Sequence, residues 1–309
     1  MMITVIIPCY RSENTIGQVV DDVKREIMVR KDNKYQIILV NDCSPDNTFA
    51  VIEKLTSEDK NIIGIDLAKN YGQNRARMAA VPYIEGDVAV CMDDDGQHPA
   101  REIYKLIDKI NDGYDLVYAH FTERKQSPFR FLASRLNTWM LEFTGAKIKG
   151  IYNSSFLAWS KFACQSLKEY HSPFPSAGAY LMNSTNRVTN VEVKHHERIS
   201  GSSGYTLKKL VNLWLVEITN FSLVPLRFAS LTGICISGAG GIWGLCMIIK
   251  KILNPRIAVG YTSTMAVLLF IGGMIMLILG LIGEYIGKIY MTLSDMPQYI
   301  IREEINVRR

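Results

Sequence analysis

The chain has 309 residues, 48% of them apolar, and carries 35 Lys+Arg against 30 Asp+Glu, a formal net charge of +5. So small an excess does not point to a nucleic-acid partner, and no aromatic-interleaved basic stripe, zinc-ligand spacing or RNA-binding signature accompanies it. The length suits one α/β domain of roughly 200 residues plus an appendage, and weak basicity suits a surface lying against anionic lipid.

The N-terminal MMITVIIPCYRSE makes a poor signal peptide, with no basic leader and an apolar run that stops at Pro8. The large domain is therefore expected in the cytoplasm. Residues 3–7 are a β-branched run and predict a buried strand. Residues 12–25 follow as a helix, with Ile16, Val19, Val20 and Val23 at helical spacing and Ser12 or Asn14 as the cap. Residues 35–40 predict a second strand, and Asn41-Asp42-Cys43-Ser44-Pro45-Asp46-Asn47 is dense in turn formers. A helix over 48–55, a strand over 62–67 and a helix over 74–84 come next, the last in spite of Pro82. A strand over 88–92 runs straight into Asp93-Asp94-Asp95, followed by a helix over 102–110 and a strand over 116–119. Strands alternating with helices predict a mostly parallel sheet covered on both faces. Ligands of such sheets gather beyond the carboxyl ends of the strands, where the polar clusters after Ile7, Val40 and Met92 all fall.

The last third is different. Residues 206–222 carry a broad apolar band (Leu207, Leu210, Val211, Leu213, Trp214, Leu215, Ile218) with Lys208 and Lys209 near its start. They predict a helix lying in the membrane interface, or else a packing helix of the soluble domain. Residues 228–249 and 264–283 are uncharged and long enough to cross a hydrocarbon core, joined by a connection with Lys250, Lys251 and Arg256. An even number of spans returns both ends of the chain to one side, and positive-inside counting supports the cytoplasmic orientation only weakly. The expected organisation is a catalytic domain over 1–205, interfacial helices over 206–227, two transmembrane helices over 228–286 and a cytoplasmic tail over 287–309. The six cysteines form no Cys-x-x-Cys pair and read as small buried hydrophobes in a reducing compartment.

The densest chemistry is Asp93-Asp94-Asp95-Gly96-Gln97 at a strand end. Three adjacent carboxylates repel one another, and a hard divalent cation bound to a nucleotide's phosphates would relieve that repulsion. A bare Asp-x-Asp is more often an exposed acidic turn; the wider pattern makes the difference. In chain order come Pro8-x-Tyr10-x-x-Glu13, Asn41-Asp42-x-Ser44-x-Asp46-x-Thr48, Leu67-x-Lys69-Asn70-x-Gly72-Gln73 and Asp93-x-Asp95-x-Gln97-x-Pro99. The histidines offer no competing zinc site, since His195 and His196 are neighbours on one apparent strand and His98, His120 and His171 are isolated. No Gly-rich dinucleotide loop follows the first strand.

The four motifs in this order resemble glycosyltransferase family 2, and within it the polyisoprenyl-phosphate glycosyltransferases of the dolichol-phosphate mannose synthase-like branch. The resemblance runs over almost the whole chain. It implies a GT-A fold, a nucleotide-sugar donor, Mg²⁺ or Mn²⁺, a polyisoprenyl phosphate acceptor (undecaprenyl or dolichyl) and inversion at the transferred sugar. By position, Pro8, Tyr10, Glu13 and Asp42 would line the nucleobase pocket. Asp93 would face the ribose and diphosphate, Asp95 with Asp93 beside it would hold the metal, and Gln97 would stand near the sugar. His196-Glu197-Arg198-Ile199-Ser200-Gly201-Ser202-Ser203-Gly204-Tyr205 resembles the branch's Arg-x-x-Gly-x-Ser-x-Tyr loop. There Arg198, Ser203 and Tyr205 would meet the diphosphate or the acceptor phosphate, a guanidinium pairing bidentately with phosphate oxygens. The resemblance also implies a multi-pass protein of the inner or plasma membrane (of the endoplasmic reticulum in a eukaryote) that self-associates through its membrane helices.

Three positions depart from the family pattern. Asn41 stands where an Asp is common, Tyr152-Asn153-Ser154-Ser155-Phe156-Leu157 replaces a stretch with an acidic and a basic residue, and Gly204 replaces a basic residue. No Glu-Asp general-base motif of the kind used for sugar-hydroxyl acceptors is evident. A phosphate monoester needs none, because it is largely dianionic at neutral pH and already nucleophilic. The rival readings are a glycan or glycolipid synthase acting on a sugar hydroxyl, and a non-catalytic membrane scaffold with the same fold.

Overall fold

The computed structural model describes residues 1–30, 33–121, 148–193, 224–253 and 260–307. Eight strands form one sheet: β1 (Met2–Cys9), β2 (Lys34–Asn41), β3 (Ile62–Leu67), β4 (Val88–Cys91), β5 (Leu116–Phe121), β6 (Leu157–Ser160), β7 (Val188–Val193) and β8 (Ile301–Ile305). Their order is β7-β5-β6-β4-β1-β2-β3-β8. β4, β1, β2 and β3 run parallel, with Val5 between Ile37 on one side and Val90 on the other. β6 is antiparallel to β4 and β5, and β8 is antiparallel to β3.

The continuous apolar runs of β1 and β2 are those of strands covered twice. Ile3, Val5 and Ile7 pack with α1 (Ile16–Val29), with Ile52 of α2 (Thr48–Glu58) and with Ile103 and Leu106 of α4 (Ile103–Asn111). Ile6, Ile38 and Val40 pack on the other face with α3 (Gln73–Ala80), α5 (Lys161–Lys168) and α6 (Ala177–Ser184). Each fully buried isoleucine is worth about 1.5–3 kcal/mol relative to exposure.

Several expected boundaries move, each for a local reason. α1 begins at Ile16, because Ser12 and Thr15 form a turn in which Ser12 O accepts the N–H of both Thr15 and Ile16 at 3.0 Å. The cap is Thr15, without a side-chain bond, and not Ser12 or Asn14. α3 ends at Ala80, and Pro82 sits in a single 3₁₀ turn, Val81–Tyr83, where its missing N–H does no harm.

Residues 301–305, expected within a tail, instead cover the edge of β3 as β8. They are fastened there by side chains. Asn306 Nδ2 donates to Thr56 O at 2.6 Å and Ile62 O at 2.9 Å, Tyr83 Oη donates to Glu304 Oε1 at 2.7 Å, and Gln298 Nε2 donates to Tyr170 O at 2.7 Å. An open edge of β3 would leave its backbone groups free to pair with another chain.

A second unit comprises two long helices, α7 (Val224–Leu253) and α8 (Tyr261–Leu293). Each contains a segment long and apolar enough to cross a membrane, Ala229–Cys246 and Phe270–Leu293. The expected interfacial helix over 206–222 lies outside the described residues.

Candidate active site

The parallel direction of β1, β2 and β4 brings three loops to one end of the sheet, and backbone-to-side-chain bonds stitch them together. After β1, Tyr10 N–H donates to Asp94 Oδ2 at 2.9 Å, Arg11 N–H to Ser44 Oγ at 3.2 Å and Ser12 N–H to Thr48 Oγ1 at 2.9 Å. Glu13 Oε2 accepts Asn47 N–H at 2.9 Å. Arg11 and Cys43 take positive φ, 58° and 52°, so both turns are tighter than an ordinary L-residue prefers. Pro8 closes this group within β1, paired with Val40, while Tyr10 is 44% exposed.

Asp42 is buried and fully used: its carboxylate accepts Tyr71 N–H at 2.6 Å and Gly72 N–H at 2.8 Å. Burial pushes its pKa up, and these two N–H groups oppose the rise. Gly72, at φ 86°, allows the chain to turn over the carboxylate. Asp42 thereby ties the end of β2 to the loop that starts α3. Asn41 is explained by its neighbour. Its Nδ2 donates to Asp66 Oδ1 at 2.7 Å and its Oδ1 accepts Ser44 N–H at 3.2 Å, with both residues buried. An Asp at 41 would set two buried carboxylates against each other at that distance.

The triplet beyond β4 splits into three environments. Asp93 receives Gln73 Nε2 and Arg77 Nη2 on Oδ1, the latter at 3.4 Å, and Ser155 Oγ on Oδ2 at 2.6 Å. His98 Nε2 stands 3.7 Å from Oδ2. Asp94 turns inward, and burial lifts its pKa to about 6 against the N–H of Tyr10 and the hydroxyl of Ser12, with the charge on Asp93 adding to the rise. Asp95 Oδ1 accepts Gln97 N–H at 3.1 Å across Gly96, whose φ is 73°. That short turn presents Asp95 and Gln97, both half-buried, on successive bends of one loop.

The structure therefore brings together Pro8, Tyr10, Glu13, Asp42, Asp93, Asp95 and Gln97 at one end of the sheet. Arg198, Ser203 and Tyr205 lie outside the described residues. Sequence reasoning missed Arg77, His98 and Ser155, which all gather on Asp93. Arg77 had a signal: a charge inside the run Ala76-Arg77-Met78-Ala79-Ala80, whose other members are small or apolar, needs a buried partner. Among the described residues no group of three or more His, Cys, Asp or Glu is arranged to hold a metal ion alone. The oxygen donors of the triplet suit a hard cation that brings phosphate oxygens as its other ligands, the usual arrangement for Mg²⁺.

A parallel-centred sheet with an acidic turn beyond β4 is the architecture of the GT-A fold. Among solved structures, glucosyl-3-phosphoglycerate synthase from Mycobacterium tuberculosis, in complex with Mn²⁺, uridine diphosphate and phosphoglyceric acid, shares this fold with a TM-score of 0.52. Identity to it is 16% over 71% of this chain and 76% of that one. Residues 4–168 match glycosyl transferase family 2, and residues 224–289 match the GtrB C-terminal hairpin. The chain belongs to glycosyl transferase family 2. It is 30% identical to the uncharacterized glycosyltransferase YkcC of Bacillus subtilis, over 98% of this chain and 94% of that protein. It is also 30% identical to the undecaprenyl-phosphate 4-deoxy-4-formamido-L-arabinose transferase of Proteus mirabilis, over 99% and 95%.

Proposed function

We propose that this glycosyltransferase moves a sugar from a nucleotide-sugar onto a polyisoprenyl phosphate, with inversion, at the cytoplasmic face of a membrane. The observation that carries the reading is the pairing, in one chain, of the Asp93–Gln97 turn with two long apolar helices of the GtrB hairpin kind. The likeness to the Proteus transferase, over nearly the full length of both chains, favours undecaprenyl phosphate as the lipid.

Asp95, with Asp93 beside it, would hold Mg²⁺ or Mn²⁺, and a bound cation supplies charge neutralisation for the departing nucleoside diphosphate. Tyr10, Glu13 and the loop held by Asp42 form the nucleotide side. Gln97 stands toward the sugar, and Arg198, Ser203 and Tyr205 serve the diphosphate or the acceptor phosphate. The acceptor dianion attacks without a protein base, so the chain's own contribution is alignment and charge stabilisation. α7 and α8 cross the bilayer as a pair and hold the domain where the lipid headgroup is available.

The test is transfer by the full chain in detergent, with undecaprenyl phosphate set against a sugar-alcohol acceptor. Product on the phosphate is the expected result; product on the alcohol alone rejects the reading. A chain that binds no nucleotide-sugar at all, with or without cation, would be a scaffold.

A further inference from the structure

Arg77 is an expensive residue in its position. It is 7% exposed, and its neighbours Ala76, Met78, Ala79 and Ala80 pack into the apolar face of the sheet. Its Nε is a buried donor with no acceptor among the described residues. Taking a guanidinium out of water is unfavourable unless an anion and well-made hydrogen bonds compensate, and an aliphatic side chain would fill the same volume without that cost. What the arginine reaches is the first carboxylate of the triplet. Nη2 lies 3.4 Å from Asp93 Oδ1 and 3.2 Å from Ser155 O.

The rest of the surroundings agree. Ser155 donates its hydroxyl to Asp93 Oδ2 at 2.6 Å, and Gln73 donates to Oδ1. Asp93 N–H donates to His98 Nδ1 at 2.9 Å, which leaves Nε2 of the neutral ring to carry the proton, 3.5 Å from Ser155 Oγ. The ring itself is clamped by Phe156 and Phe121, at centroid distances of 5.0 and 5.7 Å. Asp93 is thus fixed from several directions, and among the described residues that reach it only Arg77 brings a permanent charge.

We propose that Arg77 is a positioning residue that locks the Asp93 carboxylate beside Asp95 and offsets part of its charge, so that an anionic donor meets a less negative triplet. This rests on the reading of Asp93 as part of the donor site. At short range in a partly buried setting, an uncancelled carboxylate would repel a diphosphate strongly. Ser155 supports the same carboxylate from the loop before β6 and has the smaller, neutral share of the task.

The experiment is a double-mutant cycle on the full chain in detergent. Arg77→Met and Arg77→Lys are each made alone and with Asp93→Asn, and initial rates and melting temperature are read together. Arg77→Met should lower kcat/KM for the nucleotide-sugar by about tenfold or more, with Arg77→Lys recovering part of it, whereas with Asp93→Asn already present the same change should cost less than about threefold. Asp93→Asn should also return part of the melting temperature that Arg77→Met removes, since no orphaned carboxylate is then left behind. Equal losses in both backgrounds, or a lowered melting temperature with unchanged turnover per folded molecule, overturn the positioning role. Full turnover by Asp93→Asn alone would instead overturn the donor-site reading. Should Arg77→Met not fold by itself, Arg77→Lys with and without Asp93→Asn completes an equivalent cycle.

Discussion

The two units of this chain use the same apolar side chains in opposite ways. In the sheet unit Ile3, Ile6, Ile7, Ile37 and Ile38 are wholly buried. In the helical unit Leu231 is 60% exposed, Ile275 51% and Leu293 81%. Patches of that kind are not stable against water in a monomer, whereas hydrocarbon accepts them readily. The sheet unit is thus organised by excluding solvent from inside, whereas the helical unit turns outward an apolar surface that a hydrocarbon surrounding would suit.

Paired substitutions test this contrast. Ile6→Ala and Ile275→Ala delete the same atoms. The first should cost about 2–5 kcal/mol of stability, because the doubly covered strand cannot collapse around the void. The second should stay within about 0.5 kcal/mol, as for other changes outside a packed core. Chemical denaturation of the two variants in matched detergent measures both, and equal losses would show that α8 is packed like a core helix. Placing a charge sharpens the same point. Ile275→Arg should raise the cost of membrane insertion by about 3–4 kcal/mol. Flotation of expressed protein with vesicles reads this directly, and an unchanged membrane fraction would remove α8 from the bilayer.

A further effect is confined to the sheet unit and concerns pH. Burial holds the Asp94 carboxyl at about 6, against an ordinary 3.8. A folded-state value above the unfolded one means that the native protein binds this proton more tightly. Asp94's contribution is therefore most favourable below about pH 4 and is lost as pH rises through about 6. In chelator-treated protein Asp94→Asn should leave the melting temperature nearly unchanged at pH 4 and raise it at pH 7, by the equivalent of about 3 kcal/mol at most. A gain at pH 4 that vanishes at pH 7 would contradict the sign.

The central strands and the acidic turn were legible because each is written locally: a β-branched run for the buried strand, turn formers and carboxylates at its end. What was not legible depends on partners far away in sequence. β8 could not be read as a strand because its Arg302-Glu303-Glu304 centre is polar and exposed, and only the unpaired edge of β3, more than 230 residues upstream, gives it a place. Ser155 was visible only as a departure from a family pattern, and its bond to Asp93 requires the antiparallel return of β6 beside β4. Asn41 likewise has its reason in Asp66, one strand over. Asp42 read as a pocket residue from its position, and its carboxylate is occupied by two backbone N–H groups of the next loop.

The most direct measurement follows labelled sugar from a panel of nucleotide-sugars into the lipid phase, using the purified chain, undecaprenyl phosphate and Mg²⁺ or Mn²⁺. One donor should label the lipid, with the signal lost on adding chelator and reduced by at least about a hundredfold in Asp95→Ala. Undiminished labelling in chelator, or an Asp95→Ala protein as active as the parent, would contradict it.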